Sequence, residues 1–408
     1  MEINTDADRI EEILTRGVEE IIDKGHLKKE LFSGRKLRIK HGVDPTGPKI
    51  HIGRATQLWK LKAFQDLGHQ IVLIIGDFTA QIGDASDKQE MRRSLSAEEI
   101  KENMKDYLPQ IYKILDAKKT EVHYNSEWLD KLSAKDLLSL SANFTAQQMI
   151  QRRNFKERWD GGTPIGLYEL NYPLFQGYDS VAVKADLEIG GFDQLFNLKA
   201  GRDIQRAFKQ EPQDIMALKM LFGLDGRKMS TSWGNIIAIV DNPKDMYGKL
   251  MSMKDELIID YFELCAEISL PEIEKIKEQL KDKKVNPRDI KARLAFEIVK
   301  MYHGEKEARE AGEEFSKIFT EKQIPSDIPN CKLKASSYKL LDLLVETKIA
   351  SSKAEARRLI EQGGVKIDGQ IQNDWQEIVE TPARGRSSSG RKEGMILQSG
   401  KRKFVKLV

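Results

Sequence analysis

The sequence predicts an α/β fold: a doubly wound parallel sheet, then a helical domain, then a small α+β unit. Three observations carry this reading. First, "LRIKHGV", a helix-like run over 52–67 closed by Gly68, and the apolar "QIVLIIGD" make a βαβ unit, whose crossover requires parallel strands. Second, from about 244 to 322 the composition shifts to helical runs dense in Lys and Glu, such as "EIEKIKEQLKDKK". Third, "ASSKAEARRLIEQGGVKIDGQ" reads as a capped helix, a turn and a strand, after a proline-containing stretch (322–337) that reads as a linker. The expected division is 1–240 for the sheet domain, 241–325 for the helical domain, 326–336 for the linker and 337–408 for the last unit.

Along the chain, residues 7–32 read as a charged amphipathic helix and a loop leading into the core. The apolar residues of the 52–67 helix (Ala55, Leu58, Trp59, Leu61, Phe64, Leu67) spread around more than one face, so it should be covered on two sides. Charged helical segments continue to about 160. A Gly- and aromatic-rich stretch (161–193) follows, with the short strand "DLEIGG". No fixed-period repeat is present.

Composition excludes several classes. The chain has 408 residues, with 67 Lys and Arg against 64 Asp and Glu, so attraction to nucleic acid must come from local patches and not from net charge. Its two cysteines, Cys265 and Cys331, lie outside any CxxC spacing, which argues against a disulfide scaffold and a structural zinc site. No apolar run approaches the roughly 18 residues of a membrane span, and the acidic "MEINTDADRIEEILTRG" is unlike a targeting peptide. The expectation is a cytoplasmic protein with no membrane partner.

Two stretches carry chemistry. "VDPTGPKIHIGRATQLWK" puts His51, Gly53 and Arg54 at the mouth of a helix, where unpaired N–H groups and the helix dipole favour phosphate. Gly53 leaves room for a flat group such as a purine, and His51 can donate a hydrogen bond even when neutral. "LDGRKMSTSWGN" carries Lys228 in a short Gly-, Ser- and Thr-rich segment. Either alone has a bland reading, a structural histidine or a solvated lysine.

Together, some 175 residues apart, they resemble the His-Ile-Gly-His and Lys-Met-Ser-Lys-Ser signatures of class I aminoacyl-tRNA synthetases. "GVDPTGPKIHIG", "IGDASDK", "YPLFQGYDS" and "IGGFDQLFNLKAGRDIQ" narrow the resemblance to the bacterial tyrosyl-tRNA synthetases, from about residue 30 onward. The resemblance implies a Rossmann-like catalytic domain with inserted dimer-interface helices, and two reactions: ATP and L-tyrosine give tyrosyl-adenylate and pyrophosphate, then tyrosine passes to a terminal ribose of tRNA(Tyr). Mg2+ arrives with ATP, no protein-bound metal cluster is implied, and a homodimer is. By the same resemblance Thr46, His51 and Arg54 serve the phosphates, Lys228 with Ser230 and Thr231 closes from the other side, and Lys88 and Arg92 add charge near pyrophosphate. Asp179 accepts the tyrosine hydroxyl; Tyr172, Gln176 and Asp84 hold the α-amino end, and Gln194 lies near the carboxylate. Gly42, Asp44 and Gly53 border the adenylate, and Gly191 and Asp193 the ribose.

Three positions depart from the family pattern. Arg54 replaces the second histidine, Thr231 the second lysine, and Lys40 stands where many members carry a tyrosine beside the substrate hydroxyl. The last unit resembles the S4-type RNA-binding module, with Lys353, Arg357, Arg358 and Lys366 as candidate RNA contacts. Arg384, Arg386, Lys401, Arg402 and Lys403 extend them through a basic tail in which Glu393 is the one acid. The alternatives are a catalytically weakened paralogue that binds RNA, a tryptophan-specific class I enzyme, and a small-molecule nucleotidyltransferase.

Overall fold

The computed structural model describes residues 3–84, 95–229, 234–319, 328–333, 335, 337–380, 395–400 and 403–408. The chain divides into two compact units, Met1–Ala308 and Arg309–Val408.

The first unit is built on six strands: β1 (Val18–Ile22), β2 (Arg38–Val43), β3 (Gln70–Ile75), β4 (Thr120–Tyr124), β5 (Leu187–Gly191) and β6 (Asp214–Leu218). Their spatial order is β1-β6-β5-β2-β3-β4; β2 to β6 run parallel, and β1 closes one edge antiparallel to β6. Every residue of β5 and β6 is buried, as are five of the six in β3, as expected for a parallel sheet covered on both faces. Chain order reverses between β2 and β5, so a crevice opens at their carboxyl ends.

The helix Ile52–Asp66 starts where His51, in extended conformation, caps it by accepting from the Arg54 N–H. It contacts β3 and β5 on one side and the helices Ala7–Thr15 and Ile258–Cys265 on others, which explains its wide apolar face. Trp59 also donates its indole N–H to Tyr302 Oη at 3.0 Å, tying this helix to Pro287–His303. That helix belongs with Pro243–Met251, Ile258–Cys265 and Leu270–Lys281 to the Lys- and Glu-rich section.

Three segments of the first unit differ from the sequence reading, one being the stretch up to about 160, which reads as charged helices and contains β4. Residues 7–32 are not one helix and a loop: helix Ala7–Thr15 ends before Gly17, β1 follows, and Lys24–Phe32 is a second helix. The pairing that makes Val18–Ile22 a strand comes from β6, nearly 200 residues away, and no local pattern reveals it. The stretch 161–193 contains the 17-residue helix Leu167–Val183, although it carries Pro173. Its Gly177 is a contact and not a breaker: a Cβ there would sit 3.2 Å from the backbone of Ala200, in the neighbouring helix Leu195–Ala207.

The second unit contains strands β7 (Asn330–Cys331), β8 (Ser337–Lys339), β9 (Val365–Ile367), β10 (Gln370–Ile371), β11 (Ile378–Glu380), β12 (Met395–Ser399) and β13 (Lys403–Leu407). They form a five-stranded sheet, β10-β9-β12-β13-β7, and a β8–β11 pair. β7, inside the stretch read as linker, pairs parallel with β13. Helices Leu340–Glu346 and Lys353–Glu361 pack Leu340, Leu343, Leu344, Ala356 and Ile360 against Val365, Leu397 and Leu407.

Candidate active site

The crevice at the carboxyl ends of β2, β3, β5 and β6 is lined by every described residue expected to meet tyrosine or ATP. The end of β2 supplies Gly42 and then Asp44 and Thr46; the capped helix supplies His51, Gly53 and Arg54. The end of β5 supplies Gly191, Asp193 and Gln194, and the helix Leu167–Val183 supplies Tyr172, Gln176 and Asp179. Asp84 and Lys228 complete the lining. Lys88, Arg92, Ser230 and Thr231 lie outside the described residues.

On the helix-mouth side, His51 is held neutral: burial foremost, then Arg54 and Lys228, pull its pKa down to about 3. Its Nδ1 accepts from the Arg54 N–H at 3.3 Å, which leaves the ring proton on Nε2 as a donor. The helix amides serve less than the sequence reading expects. Ile52 N–H donates to Ile237 O (2.9 Å) and Arg54 N–H to His51 O (2.9 Å), so these two amides are already engaged within the fold. The Arg54 guanidinium reaches back over the turn, donating to Thr46 Oγ1 (2.9 Å), Asp44 O (3.3 Å) and Tyr107 Oη. Opposite, Lys228 Nζ donates to Asp193 Oδ2 at 2.8 Å, and Asn235 Nδ2 holds the Lys228 carbonyl at 3.0 Å.

At the other end Asp179 is 3% exposed. Its Oδ1 accepts from Trp128 Nε1 (2.8 Å) and its Oδ2 from Asn125 Nδ2 (3.4 Å). Burial pushes its pKa up to about 7, against the pull of Lys40 and of those two donors. Tyr172 Oη donates to Asp44 Oδ2 at 2.8 Å, and burial, then Asp44, raises its phenol. Asp84 accepts from Gln194 Nε2 and Asn197 Nδ2, both at 3.4 Å, with Arg152 Nη2 3.6 Å from its other oxygen. The cleft thus has a cationic, donor-rich end and a carboxylate-rich end with one deeply buried acceptor.

A family model described as tRNA synthetases class I (W and Y) matches residues 33–320, and one described as the tyrosine--tRNA ligase SYY-like C-terminal domain matches 320–407. The chain is 46% identical to the tyrosine--tRNA ligase of Thermotoga maritima, covering 97% of this chain and 96% of that protein. The chain belongs to the tyrosyl-tRNA synthetase family. The tyrosine--tRNA ligase of Dehalococcoides mccartyi is 44% identical over the whole of both chains. Among solved structures, the tyrosyl-tRNA synthetase of Archaeoglobus fulgidus complexed with L-tyrosine superposes with a TM-score of 0.59 at 22% identity, covering 75% of this chain and 99% of that one, a likeness of fold. Members of this synthetase class use ATP as a substrate.

In this synthetase chain the second unit carries Lys353, Arg357 and Arg358, all exposed, on one helix, whose start is capped by Ser352. Lys353 pairs with Asp342 (2.6 Å), Arg357 with Glu361 (2.8 Å), and the Arg357 guanidinium lies 4.8 Å over the Trp375 ring. Lys403 donates to Ile349 O just before that helix, and Lys366 is on β9. Arg384, Arg386, Lys401 and Arg402 lie outside the described residues.

Sequence reasoning missed Trp128 and Asn125, the partners of Asp179, because "YNSEWL" runs on from β4, a strand inside a stretch that reads as charged helices. It noted Lys40 where many members carry a tyrosine beside the substrate hydroxyl, without finding its partner. The lysine lies beneath the cleft instead, 0% exposed and paired with Glu188 at 2.9 Å.

Proposed function

We propose that the protein is a tyrosine–tRNA ligase, which forms tyrosyl-adenylate from L-tyrosine and ATP and then esterifies tRNA(Tyr). The observation that carries this reading is the joining of two ends in one cleft: Thr46, His51, Arg54 and Lys228 on one side, and the buried acceptor Asp179 on the other. The full-length relatives named tyrosine--tRNA ligase support it. The nucleophile is tyrosine's own carboxylate, already ionised, so the site needs alignment and charge stabilisation and no general base.

In this reading neutral His51 donates from Nε2 to a phosphate oxygen, and Arg54 braces the turn that presents Thr46. Lys228 exchanges Asp193 for the β,γ-phosphates, with Ser230, Thr231, Lys88 and Arg92 adding donors or charge. Mg2+ enters on the ATP phosphates. Gly42, Asp44, Gly53, Gly191 and Asp193 border the adenylate. Asp179 accepts from the phenol; Tyr172, Gln176, Asp84 and Gln194 meet the amino and carboxylate groups. Residues 1–240 act as the catalytic domain, 241–325 as a helical tRNA-binding domain, and 337–408, beyond a linker at 326–336, as the S4-like domain with the basic residues as RNA contacts. The protein works in the cytoplasm with its tRNA. It works as a homodimer, a reading supported by Leu138, Trp159 and Leu167, which are 72%, 62% and 80% exposed on its inserted helices and the one that follows.

The test is tyrosine-dependent exchange of labelled pyrophosphate into ATP without tRNA, with phenylalanine and tryptophan as controls. Exchange with tyrosine alone is expected. Exchange driven by tryptophan would replace the substrate, and silence with every amino acid, from folded protein that still retains tRNA, would replace the enzyme with an RNA-binding protein.

A further inference from the structure

A buried polar network lies beneath the amino-acid end of the cleft. Lys40 on β2 and Glu188 on β5 are direct cross-strand partners at the point where the sheet reverses order, and their side chains are 0% and 1% exposed. Lys40 Nζ has three donors, and three acceptors surround it: Gln176 O (2.7 Å), Ser180 Oγ (2.8 Å) and Glu188 Oε1 (2.9 Å). Glu188 in turn accepts from Gln176 Nε2 (3.0 Å), Ser180 Oγ (3.2 Å) and Gln213 Nε2 (2.5 Å). Room for this comes from Gly201 on the neighbouring helix, where a Cβ would approach Ser180 Oγ to 3.0 Å and Gln213 Nε2 to 2.5 Å.

Two charges so deep in a core are costly, and apolar residues of the same volume would pack with less penalty. What the ion pair adds is direction. It grips the side chain and carbonyl of Gln176 and the hydroxyl of Ser180, residues that flank Asp179 on one helix. We propose that Lys40 is a positioning residue for amino-acid selection: paired with Glu188, it fixes the helix face that presents Gln176 and Asp179 to the phenolic substrate. This rests on the tyrosine-activating reading of the cleft.

The charges around Asp179 agree with that role. Lys40 from β2 draws its carboxyl toward ionisation, as do Trp128 and Asn125 from the segment after β4, while Glu188 from β5 opposes them less strongly than Lys40 acts. Tyr172, on the same helix, is coupled to Asp179 and to Asp44 and Asp84. An ionised Asp179 is the better acceptor for a phenol O–H, so the position of Lys40 and the charge it carries work together.

The experiment compares wild type, Lys40→Met/Glu188→Gln and Ser180→Ala in tyrosine-dependent pyrophosphate exchange, with thermal unfolding as the check on folding. The double variant removes both charges and so leaves no orphaned ion. Its KM for tyrosine should rise about tenfold and its KM for ATP change less than about twofold, with a reduced tyrosine-to-phenylalanine ratio. The acid limb of kcat/KM for tyrosine should move to higher pH. Ser180→Ala should raise KM for tyrosine about threefold, again sparing ATP, and it decides the matter alone if the double variant does not fold. Folded variants with wild-type KM, selectivity and acid limb overturn the role of Lys40 while the tyrosine reading stands. A wild-type protein silent with tyrosine overturns both.

Discussion

At the scale of the residue, Asp179 shows how a site is set against stability. Its pKa is 3.8 in an unstructured chain and about 7 in the fold, so between these values the native state holds a proton that the unfolded state has released. Stability attributable to this residue therefore falls as pH rises from 3.8 to 7, and the full cost is present above 7. Asp179→Asn should raise the melting temperature at pH 8 by several degrees, a gain that fades between pH 7 and 3.8, while tyrosine-dependent exchange is lost. Calorimetry across pH with the exchange assay checks both. The same ionisation should make kcat/KM for tyrosine in the wild type fall about tenfold per pH unit below about 7. His51, neutral down to about pH 3, contributes no limb of its own. His51→Ala should lower kcat by about 10²-fold, in the range seen for loss of a single charge-stabilising donor, with KM for tyrosine little changed.

At the scale of the element, the helix Leu167–Val183 carries most of the amino-acid end, and its orientation depends on a buried pair at its first turn. Arg158 meets Glu169 through two hydrogen bonds of 2.7 and 3.0 Å, both side chains 1% exposed, and Glu169 also accepts from the Gly166 N–H. Removing one partner of such a pair leaves a buried charge uncompensated. Arg158→Met should therefore cost about 3–5 kcal/mol in urea unfolding, whereas removing an exposed partner, as in Arg206→Ala, should cost less than about 1 kcal/mol. This helix was hidden in a stretch that reads only as rich in glycine and aromatics, because proline and glycine disfavour helix interiors; Pro173 is accommodated and Gly177 is where the neighbouring helix passes. The helix Ile52–Asp66 was legible, because its apolar run lies between two strands and ends at Gly68, and the His51 cap is what the structure adds.

At the scale of the whole molecule, Lys353 and Arg357 belong to a compact unit separate from the one that holds the cleft, and charge reversal there should spare the cleft's chemistry. Lys353→Glu/Arg357→Glu should weaken tRNA binding and lower its salt dependence by about one log-log unit per lost phosphate contact, with pyrophosphate exchange unchanged. Filter binding over a salt series, beside the exchange assay, measures this. By itself the sequence determined the α/β class with its parallel strands, the helix at the cleft mouth, many of the polar residues that line the cleft and the family to which the chain belongs. Those features rest on local pattern: an apolar run between turns, a glycine after a helix, a motif in order. Tertiary structure alone decided that Val18–Ile22 is an edge strand, that Trp128 and Asn125 hold Asp179, and that Lys40 turns beneath the cleft to Glu188. Each is a pairing between residues distant in the chain, and whether a buried lysine faces the substrate or a carboxylate below it depends on what the neighbouring strand brings opposite.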